Sequence, residues 1–179
     1  MYELREYQNE LISKTRDEQR RGNKNVLLVS PAGSGKSVVI SEIARLVAEK
    51  GGTVLFFVHR QELVNQIKRS FIANEVDMNK ALVMTVGRVA NRLDVLPKPS
   101  LIIADEAHHV LAKTYQDIIK FYSDVPRIGF TATPWRMNGK GFRGTYDAMV
   151  QGKSVQWLID NGNLAPETIY APASLIDPT

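Results

Sequence analysis

Five apolar runs, each five or six residues long, recur along the chain: NVLLVS at 25–30, TVLFFV at 53–58, ALVMT at 81–85, LIIAD at 101–105 and RIGFT at 127–131. An unbroken apolar run of this length has no polar face to offer water. It fits a strand buried on both sides, as parallel sheets require. Between the runs lie stretches with helical spacing: Leu63, Ile67 and Phe71 fall on one helix face, as do Leu111, Tyr115, Ile118, Ile119 and Tyr122. This alternation predicts an α/β fold, a mostly parallel central sheet with helices on both faces. In such sheets ligands bind beyond the carboxyl ends of the strands, so functional residues are expected in the segments that follow the apolar runs.

Composition narrows the function classes. At 179 residues and 44% hydrophobic, the chain reads as one globular domain over its whole length. No apolar stretch approaches the length of a membrane span and no charged-then-apolar leader opens the chain, so the expected setting is soluble and cytoplasmic. Zero cysteines exclude disulfides and thiolate metal sites, and the three histidines (His59, His108, His109) leave little for a histidine zinc site. A net charge of +4 permits a polyanionic partner without requiring one. Residues 137–147, with three glycines, read as a mobile loop.

Directly after the first run comes SPAGSGKS at 30–37, followed by the apolar-periodic stretch VVISEIARLVAEK. Strand, Gly-rich turn and helix, in that order, is what a phosphate-binding loop requires. Pro31, Ala32, Gly33, Ser34 and Gly35 form the turn, with the two glycines letting backbone N–H groups converge on a phosphate while the next helix aims its positive end at the same point. Lys36 is placed against the terminal phosphates, and Ser37 offers a hydroxyl to Mg²⁺. The first glycine of the G-x-x-x-x-G-K-[ST] pattern is Ser30 here. The other reading of the stretch is a Gly-rich turn that merely closes a strand.

The fourth run ends in DEAHH, residues 105–109. Hydrolysis of a nucleoside triphosphate needs a second hold on magnesium and a group to activate water, and these carboxylates supply both. Asp105 is the Walker B candidate for Mg²⁺; Glu106 is the candidate base; His108 lies close enough to sense the γ-phosphate. His109 and Arg127 are read as structural.

These motifs resemble those of the first RecA-like domain of superfamily 2 helicases and translocases of the DEAD/DEAH-box kind. SPAGSGKS resembles motif I, DEAHH motif II and FTATP at 130–134 motif III, in the family's order, and the likeness covers essentially the whole chain. It implies a P-loop NTPase fold, ATP and Mg²⁺ as cofactors, and a nucleic-acid track, with DNA favoured over RNA. LREYQNE at 4–10 resembles the adenine-recognising segment, in which Gln8 would read the adenine edge and Arg5 would pack on the ring. An amide matches the donor and acceptor of that edge; the same segment also reads as an amphipathic first helix with Tyr7 and Leu11 in the core. FFVHRQELVNQ at 56–66 resembles motif Ia and MTVGRVA at 84–90 a motif Ib-like turn, which makes Arg60, Gln61, Thr85 and Gly87 candidates for nucleic-acid backbone contacts, or else solvated helix caps. Thr131 and Thr133 of TATP are candidates to couple the γ-phosphate state to nucleic-acid binding. The stretch after motif III resembles a subgroup that includes restriction-enzyme motor subunits, and Lys140 and Arg143 there could meet a phosphate backbone.

In the family, ATP sits between two RecA-like domains, and the second carries the arginines that stabilise the transferring phosphoryl group. No second phosphate fold fits in this sequence. The implied role is therefore the ATP-binding half of a motor, weak or inactive in hydrolysis by itself. A restriction-complex motor that translocates without unwinding, or a nucleotide-dependent switch, are the alternatives.

Overall fold

The computed structural model describes residues 1–105, 113–132 and 145–164. Helix α1 (Glu6–Arg20) leads into strand β1 (Asn25–Val29), then α2 (Lys36–Glu49), β2 (Val54–Val58), α3 (Gln61–Ala73) and β3 (Ala81–Thr85). There follow α4 (Val86–Ala90), β4 (Leu101–Ala104), α5 (Lys113–Phe121), β5 (Arg127–Thr131), β6 (Ala148–Gln151) and α6 (Val155–Asp160). Every expected run forms a strand. All pairings are parallel, and the six strands lie in the order β3-β2-β4-β5-β1-β6. Among the described residues the sheet is parallel throughout, in keeping with the expected parallel fold, with β6 an addition that the apolar runs did not announce.

The two-residue period of a strand divides the core into two layers. Val26, Leu28, Phe56, Ile103 and Phe130 face α1, α2 and α3, whereas Leu27, Leu55, Phe57, Ile102 and Ala104 face α4 and α5. Aromatic edges lock both layers: Phe56 meets Phe71 of α3 at 6.3 Å between centroids, and Phe57 meets Tyr115 of α5 at 5.3 Å. On α3 the buried positions are Val64, Ile67 and Phe71; Leu63, expected on that stripe, is only partly buried, and Val64, the next residue, takes its place. Among the described residues no helix is long and apolar enough to cross a membrane.

Beneath β5 two tyrosines meet. The Tyr115 and Tyr146 hydroxyls are 2.8 Å apart in a fully buried pair, and burial pushes the Tyr146 phenol up to about 12. Gly129 makes room for them, because a Cβ there would stand 2.2 Å from the Tyr146 hydroxyl oxygen. Tyr146 cannot swing aside without losing its buried partner. Gly129→Ala is therefore expected to lower unfolding stability by about 1–3 kcal/mol, the usual cost of overpacking a filled core. Chemical denaturation measures it, and an unchanged midpoint would contradict this packing.

The strand order also fixes where a ligand crevice opens. From β1 the chain crosses β5 and β4 to reach β2, whereas from β5 it moves the other way, past β1 to β6. Where neighbouring strands send their connections in opposite directions, ligand crevices open at the carboxyl ends. The phosphate-loop sequence follows β1, at this reversal.

Candidate functional site

Residues 30–37 run from the end of β1 to the start of α2, and their shape comes from two glycines. Gly33 and Gly35 both have φ of +80°, the left-handed region that side chains rarely adopt. Gly35 is doubly constrained, since a Cβ there would lie 2.3 Å from Nε2 of Gln8. It forms the N-cap of α2, so the helix begins at Lys36 with its first N–H groups and positive end at the loop. Ser30, where the motif has glycine, needs no left-handed backbone. It is not among the positive-φ residues, its N–H donates to the Thr131 carbonyl at 2.9 Å, and its Oγ lies 2.6 Å from Oγ of Ser34. The departure from the pattern is accommodated by a hydroxyl pair inside the loop.

Asp105 stands one residue past β4, held by its N–H to the Phe57 carbonyl at 3.1 Å. Its Oδ1 lies 2.8 Å from Nζ of Lys36, with the carboxylate side chain 11% and the lysine 25% exposed. Two residues 69 positions apart in sequence thus share one charge pair in a half-sheltered crevice, where the attraction is stronger than at an open surface. Ser37 follows Lys36 in the first turn of α2, partly buried. Pro31 is partly buried, Ala32 and Gly33 are exposed, and Ser34 is buried. A carboxylate and a hydroxyl are hard oxygen donors, few in number. That donor set fits Mg²⁺, which keeps most of its ligands as water or phosphate oxygen.

The first turn of α1 docks on the loop. Tyr7 donates its hydroxyl hydrogen to the Ser34 carbonyl at 2.6 Å, and Nε2 of Gln8 reaches the same carbonyl at 3.5 Å. Oε1 of Gln8 accepts from the N–H of Arg5 at 2.9 Å, which ties the amide to the helix start. Gln8 is buried with its amide toward the phosphate loop, and of the two residues expected in the core Leu11 is there while Tyr7 is only partly buried. Arg5 lies at the surface, its guanidinium bound to Asn163.

Thr131 closes β5, fully buried, and its carbonyl joins the phosphate loop through Ser30. The remaining candidates stand on the other half of the same sheet edge. Arg60 is the exposed N-cap residue of α3 and Gln61 its exposed first residue, with Nε2 donating to Asn65 at 3.2 Å. Thr85 caps α4, its Oγ1 accepting from the Arg88 N–H at 3.4 Å, and Gly87 opens on empty space. Strands β2 and β3 are neighbours, so these residues adjoin one another along the edge, and β4 with Asp105 separates them from the phosphate loop. Glu106, His108, His109, Leu111, Thr133, Lys140 and Arg143 lie outside the described residues, as does most of the expected glycine loop at 137–147.

The family described as "Type III restriction enzyme, res subunit" matches residues 1–93 and 77–136, which together span most of the chain. The chain belongs to this family. This match agrees with the resemblance to restriction-enzyme motor subunits read from the sequence. A "51.5 kDa protein" of a Lactococcus phage (isolate 7-9) is 59% identical over 149 residues, 83% of this chain and 33% of its own. "DNA 3'-5' translocase XPB2" of Sulfurisphaera tokodaii is 30% identical over 77% of this chain and 32% of its own. The chain spans about a third of the length of these relatives. Among solved structures, the UvsW helicase from bacteriophage T4 superposes with a TM-score of 0.67 at 17% identity, over 84% of this chain and 60% of that one. At that identity the likeness is one of fold.

Sequence reasoning overlooked one part of this res-subunit domain. The segment 152–164 packs on α1 and the phosphate loop: Trp157 meets Tyr7 edge to face at 5.9 Å, Lys153 lies over the Trp157 ring at 4.9 Å, and Leu164 abuts Gly33. A signal for α6 was present in Ser154, whose hydroxyl caps the helix by accepting from the Trp157 N–H at 3.1 Å.

Proposed function

We propose that this chain is the ATP-binding domain of an ATP-dependent nucleic-acid helicase or translocase. The observation that carries the reading is the 2.8 Å pair between Lys36 and Asp105, because it joins the phosphate loop to the strand end where water activation is expected. Lys36 binds the terminal phosphates. The backbone of 31–35 and the first turn of α2 cradle them, and Gln8 with Arg5 takes the adenine side. Ser37 and Asp105 would hold Mg²⁺, which when bound neutralises charge on the phosphate oxygens. Glu106 orients the attacking water and accepts its proton. His108, Thr131 and Thr133 relay the state of the γ-phosphate.

Arg60, Gln61, Thr85 and Gly87 hold the backbone of a nucleic acid along the β2–β3 half of the edge, DNA in preference to RNA. Backbone contacts carry no sequence information, so none is expected in binding. The res-subunit family match favours a second version of the same function, a motor that translocates for a restriction or DNA-processing complex without separating strands. A nucleotide switch accounts less well for a carboxylate beside the magnesium ligand, since a pure binder has no use for a base.

A second RecA-like domain would complete the catalytic site with arginines, whose loss costs about 10³- to 10⁵-fold in rate. Purified residues 1–179 are accordingly expected to bind ATP, seen by titration with a fluorescent nucleotide, and to hydrolyse it very slowly. Robust turnover by this fragment would contradict the two-domain account.

A further inference from the structure

Helix α6 ends in a rigid turn that presents one side chain to Arg5. Gly162, at φ +72°, follows the helix; its N–H donates to the Ile159 carbonyl at 3.1 Å, and that of Asn163 reaches back to the Leu158 carbonyl at 2.8 Å. This pair of bonds is the Schellman arrangement, which fixes the residue after the glycine. Leu158 is fully buried, so the turn stands on the core. From it, Oδ1 of Asn163 accepts from Nη1 of Arg5 at 2.9 Å, and the Asn163 carbonyl lies 3.4 Å from the same nitrogen. The contact closes 158 residues of chain.

An exposed arginine is otherwise free to sweep through many rotamers. Holding Nη1 at the edge restricts those rotamers, and a planar cation so restrained is suited to stack on a flat ring. Arg5 is also the residue whose backbone N–H binds Oε1 of the Gln8 amide. We infer that Asn163 is a positioning residue for the nucleotide base: it restrains the Arg5 guanidinium, while the Arg5 backbone holds Gln8, so that base recognition joins segments 158 residues apart in sequence. The inference rests on the ATP reading above.

Asn163→Leu tests it in the full-length protein. Leucine suits the turn, because an apolar residue after the Schellman glycine commonly packs back on the helix. Releasing one long side chain costs about twofold to tenfold in affinity, so KM for ATP should rise by roughly that factor with kcat little changed. Competition by inorganic tripolyphosphate, which has no base, should be unaltered. Asn163→Asp, which keeps the acceptor, should retain the original KM, and in an Arg5→Ala background Asn163→Leu should add nothing further.

Equal weakening of ATP and tripolyphosphate would overturn the inference, since the segment would then be acting on the phosphate loop through Leu164. An unchanged KM in Asn163→Leu, with ATP binding lost in Lys36→Ala, would overturn it while sparing the nucleotide reading. Unchanged ATP binding in Lys36→Ala would remove both.

Discussion

Lys36→Ala is expected to lower affinity for ATP by about tenfold to hundredfold, the equivalent of a charge-assisted hydrogen bond worth about 1.5–3 kcal/mol. The ammonium stands where the loop, the start of α2 and the end of β4 converge, 2.8 Å from the Asp105 carboxylate. On the proposed reading, removing it subtracts the compact positive charge that meets the terminal phosphates. Lys36→Arg should restore little, because a planar fork on a longer stem cannot stand in for a point charge in a loop shaped around it. Nucleotide titration measures both variants. An unchanged affinity in the alanine variant would place the phosphate cradle elsewhere.

Glu106→Gln is expected to keep ATP binding and to lose turnover by about 10²- to 10⁴-fold, the usual contribution of a positioned general base. The amide keeps the size and hydrogen-bonding reach of the carboxylate but cannot accept the proton of the attacking water. The proposal rests on sequence order: Glu106 follows Asp105, which is held at the strand end by its N–H to the Phe57 carbonyl and paired to Lys36. KM should move little, because the base works in the transition state rather than in binding. Turnover within a factor of about two of the parent would remove Glu106 from the reaction.

Much of the fold could be read from the apolar runs, because strands covered on both faces are rich in apolar residues and runs of five or six are too short for typical helices. Strand β6 left no such mark. It is a four-residue edge strand with only Val150 buried, and its other positions face water or the rim. The order of the strands was equally out of reach, since β1 pairs with β5 across about a hundred residues and nothing local specifies that partner. The displacement of Leu63 by Val64 on α3 has a similar cause: the helix period names a face, and the packing against the sheet decides its exact centre.

The site divides in the same way. Gly33 and Gly35 were legible because a left-handed backbone excludes other residues, and Lys36 and Asp105 because their chemistry is scarce and their placement follows strands. Ser30 looked like a flaw in the motif only until its backbone was seen to need no glycine freedom. Tyr7 on Ser34 and Asn163 on Arg5 were invisible for a different reason. Each is a polar contact between distant segments, and the residue types involved are common on any surface.

Steady-state ATP hydrolysis by the full-length protein, at one stated salt concentration, with and without single- and double-stranded DNA and RNA, tests the motor assignment most directly. The account predicts turnover that rises severalfold with at least one of these polymers, DNA before RNA, and that disappears in Glu106→Gln. Turnover that is the same with every polymer as with none, while ATP still binds, would contradict it.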